Sequence, residues 1–177
     1  PDMFLLDNGK SMPFIQAKTS GLSTGVPGVL AMLSMAHDEQ GTLEWSSLFS
    51  FARKLANEGF ELSPRLHGML VRFGKYIPSK PEQGPTDAFE YFFDESGKPH
   101  PIGYMLKNPE YVKTLDIIAN NASDFYNGEI ANEIAAMVQQ KPRAGKLTVE
   151  DIAAYKPVKR TALCQPYRDT QICGAPP

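Results

Sequence analysis

Apolar positions along the chain fall into several helical stripes separated by turn residues. Across residues 27–39, Val29, Leu30, Leu33 and Ala36 line one face, and Met32 and Met35 widen it. Pro27 suits the first turn of that helix, where its missing N–H would lack a partner anyway. Residues 42–59 give the cleanest stripe, with Trp45, Leu48, Phe49, Ala52, Leu55 and Ala56 on one side and Glu44, Arg53, Lys54 and Glu58 off it. Asn57 and Gly59 supply its stop signal. Ser63-Pro64 opens a further helix bearing Leu66, Met69, Leu70 and Phe73, with Ser63 as N-cap. Asn108-Pro109 caps one carrying Tyr111, Val112, Leu115, Ile118 and Ala119. Ser123-Asp124 caps a single turn, and Gly128 leads into a helix with Ile130, Ile134, Met137 and Val138. Thr148 and Asp151 have the spacing of a capping box.

Strand signals are fewer. Asp7-Asn8-Gly9 predicts a hairpin turn between short strands at residues 3–6 and 14–17. The aromatic run Phe89–Phe93 (FEYFF) reads as a strand turned by Asp94-Glu95-Ser96-Gly97, with residues 98–103 extended beyond it. Residues 159–163 and 167–173 read as two strands around Gln165-Pro166. Proline and glycine crowd residues 74–87, which read as a loop. The expected fold class is α+β and predominantly α-helical. Residues 1–177 read as a single region with no second domain.

Composition changes this picture little. The 177 residues are 42% hydrophobic and 21% charged with net charge -2, which is ordinary globular usage and gives no basic surface for nucleic acid. The apolar runs are too short to span a bilayer. A chain that begins at Pro1 without a leader pattern and stops at Gly174-Ala175-Pro176-Pro177, just after a strand signal, suggests a segment cut from something larger. His37, His67 and His100 are isolated, so neither a metal nor another cofactor is expected. Cys164 and Cys173 do not make a disulfide framework. They could meet across a hairpin, but the expectation is two small, half-buried thiols.

The search for chemistry is thin. SGLSTGVPGVLAML, residues 20–33, places Gly21, Gly25 and Gly28 ahead of a helix. No Gly-Lys-Ser/Thr follows, so it is no Walker A loop, and the glycine spacing fits no dinucleotide fingerprint. A helix N-terminus can bind an anion, but Pro27 removes a donor, so a structural role is expected. Gly25 is the expected key position, through an unusual backbone angle or a close approach to a neighbour. Ser63, His67 and an aspartate could be assembled into a nucleophilic set, but Ser63 is better used as a cap and His67 fits the helix surface. Adjacent Asp94 and Glu95 point to opposite faces in an extended segment, which favours a solvated turn over a catalytic pair. The FEYFF aromatics suit a base or sugar stack less well than a core.

Seven blocks occur in the order found in one enzyme family. They are residues 20–33 (SGLSTGVPGVLAML), 43–66 (LEWSSLFSFARKLANEGFELSPRL), 91–103 (YFFDESGKPHPIG), 106–119 (LKNPEYVKTLDIIA), 124–138 (DFYNGEIANEIAAMV), 146–157 (KLTVEDIAAYKP) and 162–177 (ALCQPYRDTQICGAPP). Together they resemble the large subunit of gamma-glutamyltranspeptidases (glutathione hydrolases). The resemblance implies part of an N-terminal nucleophile hydrolase with a four-layer αββα architecture, incomplete in this chain. It implies a zymogen that cleaves itself into a large and a small subunit. A Thr freed at the small subunit's N-terminus then attacks the gamma-glutamyl amide of glutathione, and the acyl group passes to water or to an amino acid or peptide. The partners it implies are the small subunit of the same precursor, glutathione and those acceptors. The location it implies is periplasmic or secreted.

No catalytic, substrate-binding or metal residue carries over. The family nucleophile stands in a Thr-Thr-His context, which no threonine from Thr19 to Thr170 shares. The Arg that binds the substrate carboxylate belongs upstream of the equivalent of Pro1, and the glycine-rich oxyanion segment belongs to the small subunit. The chain is therefore expected to be scaffold and inactive alone. Two other readings remain. One is a related acylase acting on cephalosporins or poly-gamma-glutamate. The other is an independent helical binding module that uses FEYFF as its contact surface and has no catalytic role.

Overall fold

A computed structural model describes residues 2–141 and 143–176. Its helices are α1 (Phe14–Lys18), α2 (Val29–Gln40), α3 (Ser50–Glu58), α4 (Pro64–Phe73), α5 (Asp87–Phe92), α6 (Pro109–Asn120), α7 (Asp124–Asn127), α8 (Glu129–Val138) and α9 (Val149–Ala153). Two antiparallel pairs complete it. They are β1 (Phe60–Glu61) with β2 (Met105–Leu106), and β3 (Leu163–Tyr167) with β4 (Thr170–Gly174).

Local chemistry sets three of the helix starts. Ser63 Oγ accepts the Leu66 N–H ahead of Pro64, and Asn108 Oδ1 accepts the Tyr111 N–H at 2.8 Å ahead of Pro109. Thr148 and Asp151 form the full reciprocal capping box at α9. The stripe of residues 42–59 divides into a 3₁₀ segment, Trp45–Phe49, followed by α3. Trp45, the first residue of that segment, donates its indole N–H to the Ile118 carbonyl of α6 at 2.8 Å. Arg53 and Asp116 add an ion pair between α3 and α6.

Four strand expectations are corrected. Residues 89–92 of FEYFF belong to helix α5, not to a strand, and Phe93 is its extended C-cap, bridged to Pro99. The Phe89 ring of the helix stacks on that of the extended Phe93 at 4.4 Å, and the Thr86 hydroxyl donates to Glu90 at the helix start. The turn after it forms as expected, with Asp94 accepting from Ser96 and Lys98. Near the start, the Asp7-Asn8-Gly9 turn forms, but its arms meet only at the Leu5–Ser11 bridge. Residues 14–17 are helical because Pro13 supplies the carbonyl that receives the Ala17 N–H. At the other end, Gln165-Pro166 lies inside β3 and the turn is Arg168-Asp169. Proline is tolerated there because β3 is an edge strand.

Cys164 and Cys173 are directly paired across β3 and β4 and are joined in a disulfide. They are not the free thiols expected. Sequence separation could not show that the turn falls midway between them.

Among the described residues, buried side chains gather into two small clusters, with Ala56, Leu115, Ala119, Ile130 and Val138 buried outside them. Leu62, Leu70, Phe93 and Leu106 make the first, where α4, α5 and the β1–β2 pair meet. Tyr126, Ala131, Ala135 and Ile152 make the second, packed by Val26, Leu30 and Leu147. A self-contained domain of 19.6 kDa exposes roughly 8,600 Å². This chain exposes 12942 Å². The excess is apolar in part. Helix α2 buries no residue, and Val29, Met32 and Leu33 on it are 66%, 45% and 48% exposed. Phe51 and Val71 are equally bare.

Candidate functional site

Residues 20–33 fold into a short 3₁₀ turn, Gly21–Ser23, an extended passage and then α2. The three glycines have different surroundings. A Cβ at Gly21 would lie 2.1 Å from the Val138 carbonyl oxygen and 2.5 Å from the Gly145 nitrogen, both backbone atoms. The approach is mutual, since a Cβ at Gly145 would lie 2.2 Å from the Gly21 carbonyl oxygen, and the Gly21 N–H donates to the Arg143 carbonyl while the Gly145 N–H donates to the Val138 carbonyl. A Cβ at Gly28 would lie 2.2 Å from the Tyr155 hydroxyl. Gly25, the position singled out from sequence, has nothing within 4 Å and no left-handed backbone angle. The close approach is real, but it is made by Gly21 and Gly28.

The same stretch answers the anion question. Pro27 lies outside the helix, before the N-cap Gly28, so it does not occupy the first helical position. The Tyr126 hydroxyl sits at the helix start instead. It accepts the Ala31 N–H at 2.9 Å and donates to the Pro27 carbonyl at 2.7 Å. A side chain 95 residues away in sequence therefore takes the donor an anion would use. Tyr155 stacks near it, with ring centroids 6.2 Å apart. Burial raises the Tyr126 pKa, the Ala31 N–H opposes that, and Tyr155 adds to the rise.

A cleft of about 310 Å³ opens beside Ser20 and Gly21, walled by Thr24, Gln83, Met137, Lys141 and Arg143. None of the described residues that line it is an Asp, Glu, His or Cys. The nearby hydroxyls are engaged locally: Thr19 Oγ1 donates to Ile15 and Ser20 Oγ to Ala17.

The other candidates stay apart. Ser63 Oγ caps α4, and His67 is half-buried on that helix rather than at its surface. Asp94 accepts three local hydrogen bonds, led by Ser96, which hold its carboxyl below the usual range. Glu95 is exposed and makes no pair with it. Among the described residues no three His, Cys, Asp or Glu side chains gather as a metal site, and no helix is long and apolar enough to cross a membrane.

Sequence reasoning missed Tyr126 and Tyr155, whose only signal was that FYNG and EDIAAY stand in blocks alongside SGLSTGVPG. These blocks converge in space: Gly28, Tyr126 and Tyr155 form one node.

A mostly helical chain with a peripheral hairpin, built around this node, matches known structures. The gamma-glutamyltranspeptidase of Helicobacter pylori superposes with a TM-score of 0.86 at 27% identity, covering 100% of this chain and 49% of that one. That places the chain in part of an N-terminal nucleophile hydrolase fold. The family model for gamma-glutamyltranspeptidase matches residues 1–177, and the chain belongs to that family. It is 36% identical over 177 residues to the glutathione hydrolase proenzyme of Escherichia coli, covering 99% of this chain. It is 32% identical over 178 residues to that of Bacillus subtilis strain 168. The chain spans 29% of the length of each of these two relatives.

Proposed function

We propose that this chain is scaffold within a gamma-glutamyltransferase and glutathione hydrolase. The parent cleaves the gamma-glutamyl amide of glutathione and passes the gamma-glutamyl group to water or to an amino acid or peptide. The observation that carries this reading is the match of the whole chain, in sequence and in fold, to proteins named for that activity. The acyl group is held by an N-terminal Thr of a small subunit cut from the same precursor, since no threonine here has the Thr-Thr-His context. Residues 1–177 act as one continuous part of the large subunit, and the small subunit covers part of the bare apolar surface. The Cys164–Cys173 disulfide supports a periplasmic or secreted location, because such bonds persist in oxidising compartments.

The test is turnover of gamma-glutamyl-p-nitroanilide by the full-length precursor and by the 177-residue chain. The precursor should process itself and turn over substrate, while the chain alone should do neither. Turnover by the chain, or a correctly processed but inactive precursor, overturns the reading. A panel with cephalosporin and poly-gamma-glutamate substrates separates the acylase alternative.

A further inference from the structure

Two asparagines stand directly before a glycine, Asn8 and Asn127. That order favours attack of the glycine's backbone nitrogen on the asparagine side chain, because glycine carries no Cβ to hinder the approach. Both reacting atoms belong to adjacent residues, so the reaction needs neither a cleft nor a bound partner. What differs between the two pairs is the set of bonds that this chain makes around them.

At Asn127 those bonds oppose the reaction. Nδ2, the nitrogen that would have to leave, donates to the Ser123 carbonyl at 3.0 Å. The Gly128 N–H, which would have to lose its proton, donates to the Asp124 carbonyl at 3.0 Å. Gly128 also joins α7 to α8, and its carbonyl accepts from the Asn132 side chain at 3.0 Å. The preceding residue, Tyr126, is buried and bonded to the start of α2. Swinging the Gly128 nitrogen toward Cγ therefore requires α7 to unwind. Asn8 instead lies in a tight turn, where the Gly9 N–H donates to the Leu6 carbonyl at 2.8 Å. Its Oδ1 accepts the Lys10 N–H at 3.0 Å, which folds the side chain over the Gly9 peptide. That N–H also stabilises negative charge on Oδ1 as Cγ is attacked, the role of an oxyanion donor.

We infer that Asn8 is a self-modification site at which the chain deamidates, while the fold protects Asn127. Hydroxide takes the Gly9 amide proton, and the Gly9 nitrogen attacks Asn8 Cγ. The Cγ–Nδ2 bond breaks, the leaving nitrogen takes a proton from water, and ammonia departs from a five-membered succinimide. Water then opens the ring. Opening at one carbonyl leaves an aspartate at position 8, and opening at the other leaves an isoaspartate, whose main chain is longer by one methylene. The longer main chain disturbs the bridge between Leu5 and Ser11, where the arms of the turn meet. No oxidant or reductant enters. The reaction also needs nothing of the gamma-glutamyl chemistry, so its failure leaves the proposed function untouched.

The experiment ages the full-length precursor in mildly alkaline buffer, folded and in urea, and follows each asparagine by peptide mass mapping. Methyl transfer from S-adenosylmethionine by an isoaspartyl methyltransferase marks the isoaspartate. In the folded protein Asn8 should react roughly 10-fold faster than Asn127 or more, since one turn bond opens more readily than a helix end unwinds. In urea the two rates should agree. Three results overturn the proposal: Asn127 reacting as fast as Asn8 in the folded protein, an Asn8 that stays intact until urea is added, or a difference in rate that persists in urea.

Discussion

Tyr126 shows how much one hydroxyl can organise. It satisfies a helix-start N–H and a proline carbonyl at once. Replacing it with Phe leaves both groups unpaired in a half-buried setting, at a cost of about 1–3 kcal/mol. Amide exchange at Ala31 in the full-length protein should quicken accordingly, and an unchanged rate would show that water replaces the hydroxyl without loss. The same group carries a pH dependence. Its folded pKa is raised, so its stabilisation is complete below the ordinary tyrosine value and is lost as pH rises through the raised one. Alkaline exchange profiles at Ala31 should therefore break above the pH of a free tyrosine, and the Phe variant should lack the break. The glycines give a second prediction at this scale. Gly21→Ala meets backbone that cannot yield, so it should cut the yield of processed precursor severely. Gly28→Ala meets the end of a Tyr155 side chain and should cost less, and Gly25→Ala should cost least because its space is open. Equal yields for the three would remove the close-approach explanation.

Among the elements, those read well from sequence are the ones with caps. Ser63-Pro64, Asn108-Pro109 and the Thr148–Asp151 box start their helices through bonds within three residues, so nothing distant can overrule them. Thr148→Ala should destabilise α9 by about 1 kcal/mol, measurable as faster exchange in residues 149–153. Ile152, fully buried on that helix, links the loss to the cluster around Tyr126. The elements misread are those fixed by distant or competing contacts. FEYFF has strand composition, yet residues 89–92 are helical, and Phe89 stacks on the extended Phe93 in the first cluster. The final hairpin is legible as two strands, but its turn lies at Arg168-Asp169 rather than Gln165-Pro166, because an edge strand tolerates Pro166.

For the whole molecule, the surface exceeds that of a self-contained domain of its mass by roughly 4,300 Å². Bare apolar side chains on α2, α3 and α4 account for part of it. The isolated chain should therefore self-associate, and light scattering should give a mass well above 19.6 kDa that falls in mild denaturant. A stable monomer would favour the independent binding module instead.

Of the candidate site, the sequence carried the place but not the parts: SGLSTGVPG marked the stretch, while the groups that complete it come from residues 126, 145 and 155. What the sequence by itself determined was what short-range bonding and side-chain period determine. That includes the capped helices, the Asp94 turn, the mostly helical class and, through collinear blocks, the family. What only the tertiary structure decided was which distant groups meet. Those meetings make the disulfide between Cys164 and Cys173, the Gly21–Gly145 contact and the Tyr126 cap on α2. Each depends on bringing together backbone or side chains nine to more than a hundred residues apart, and local propensity carries no information about such separations.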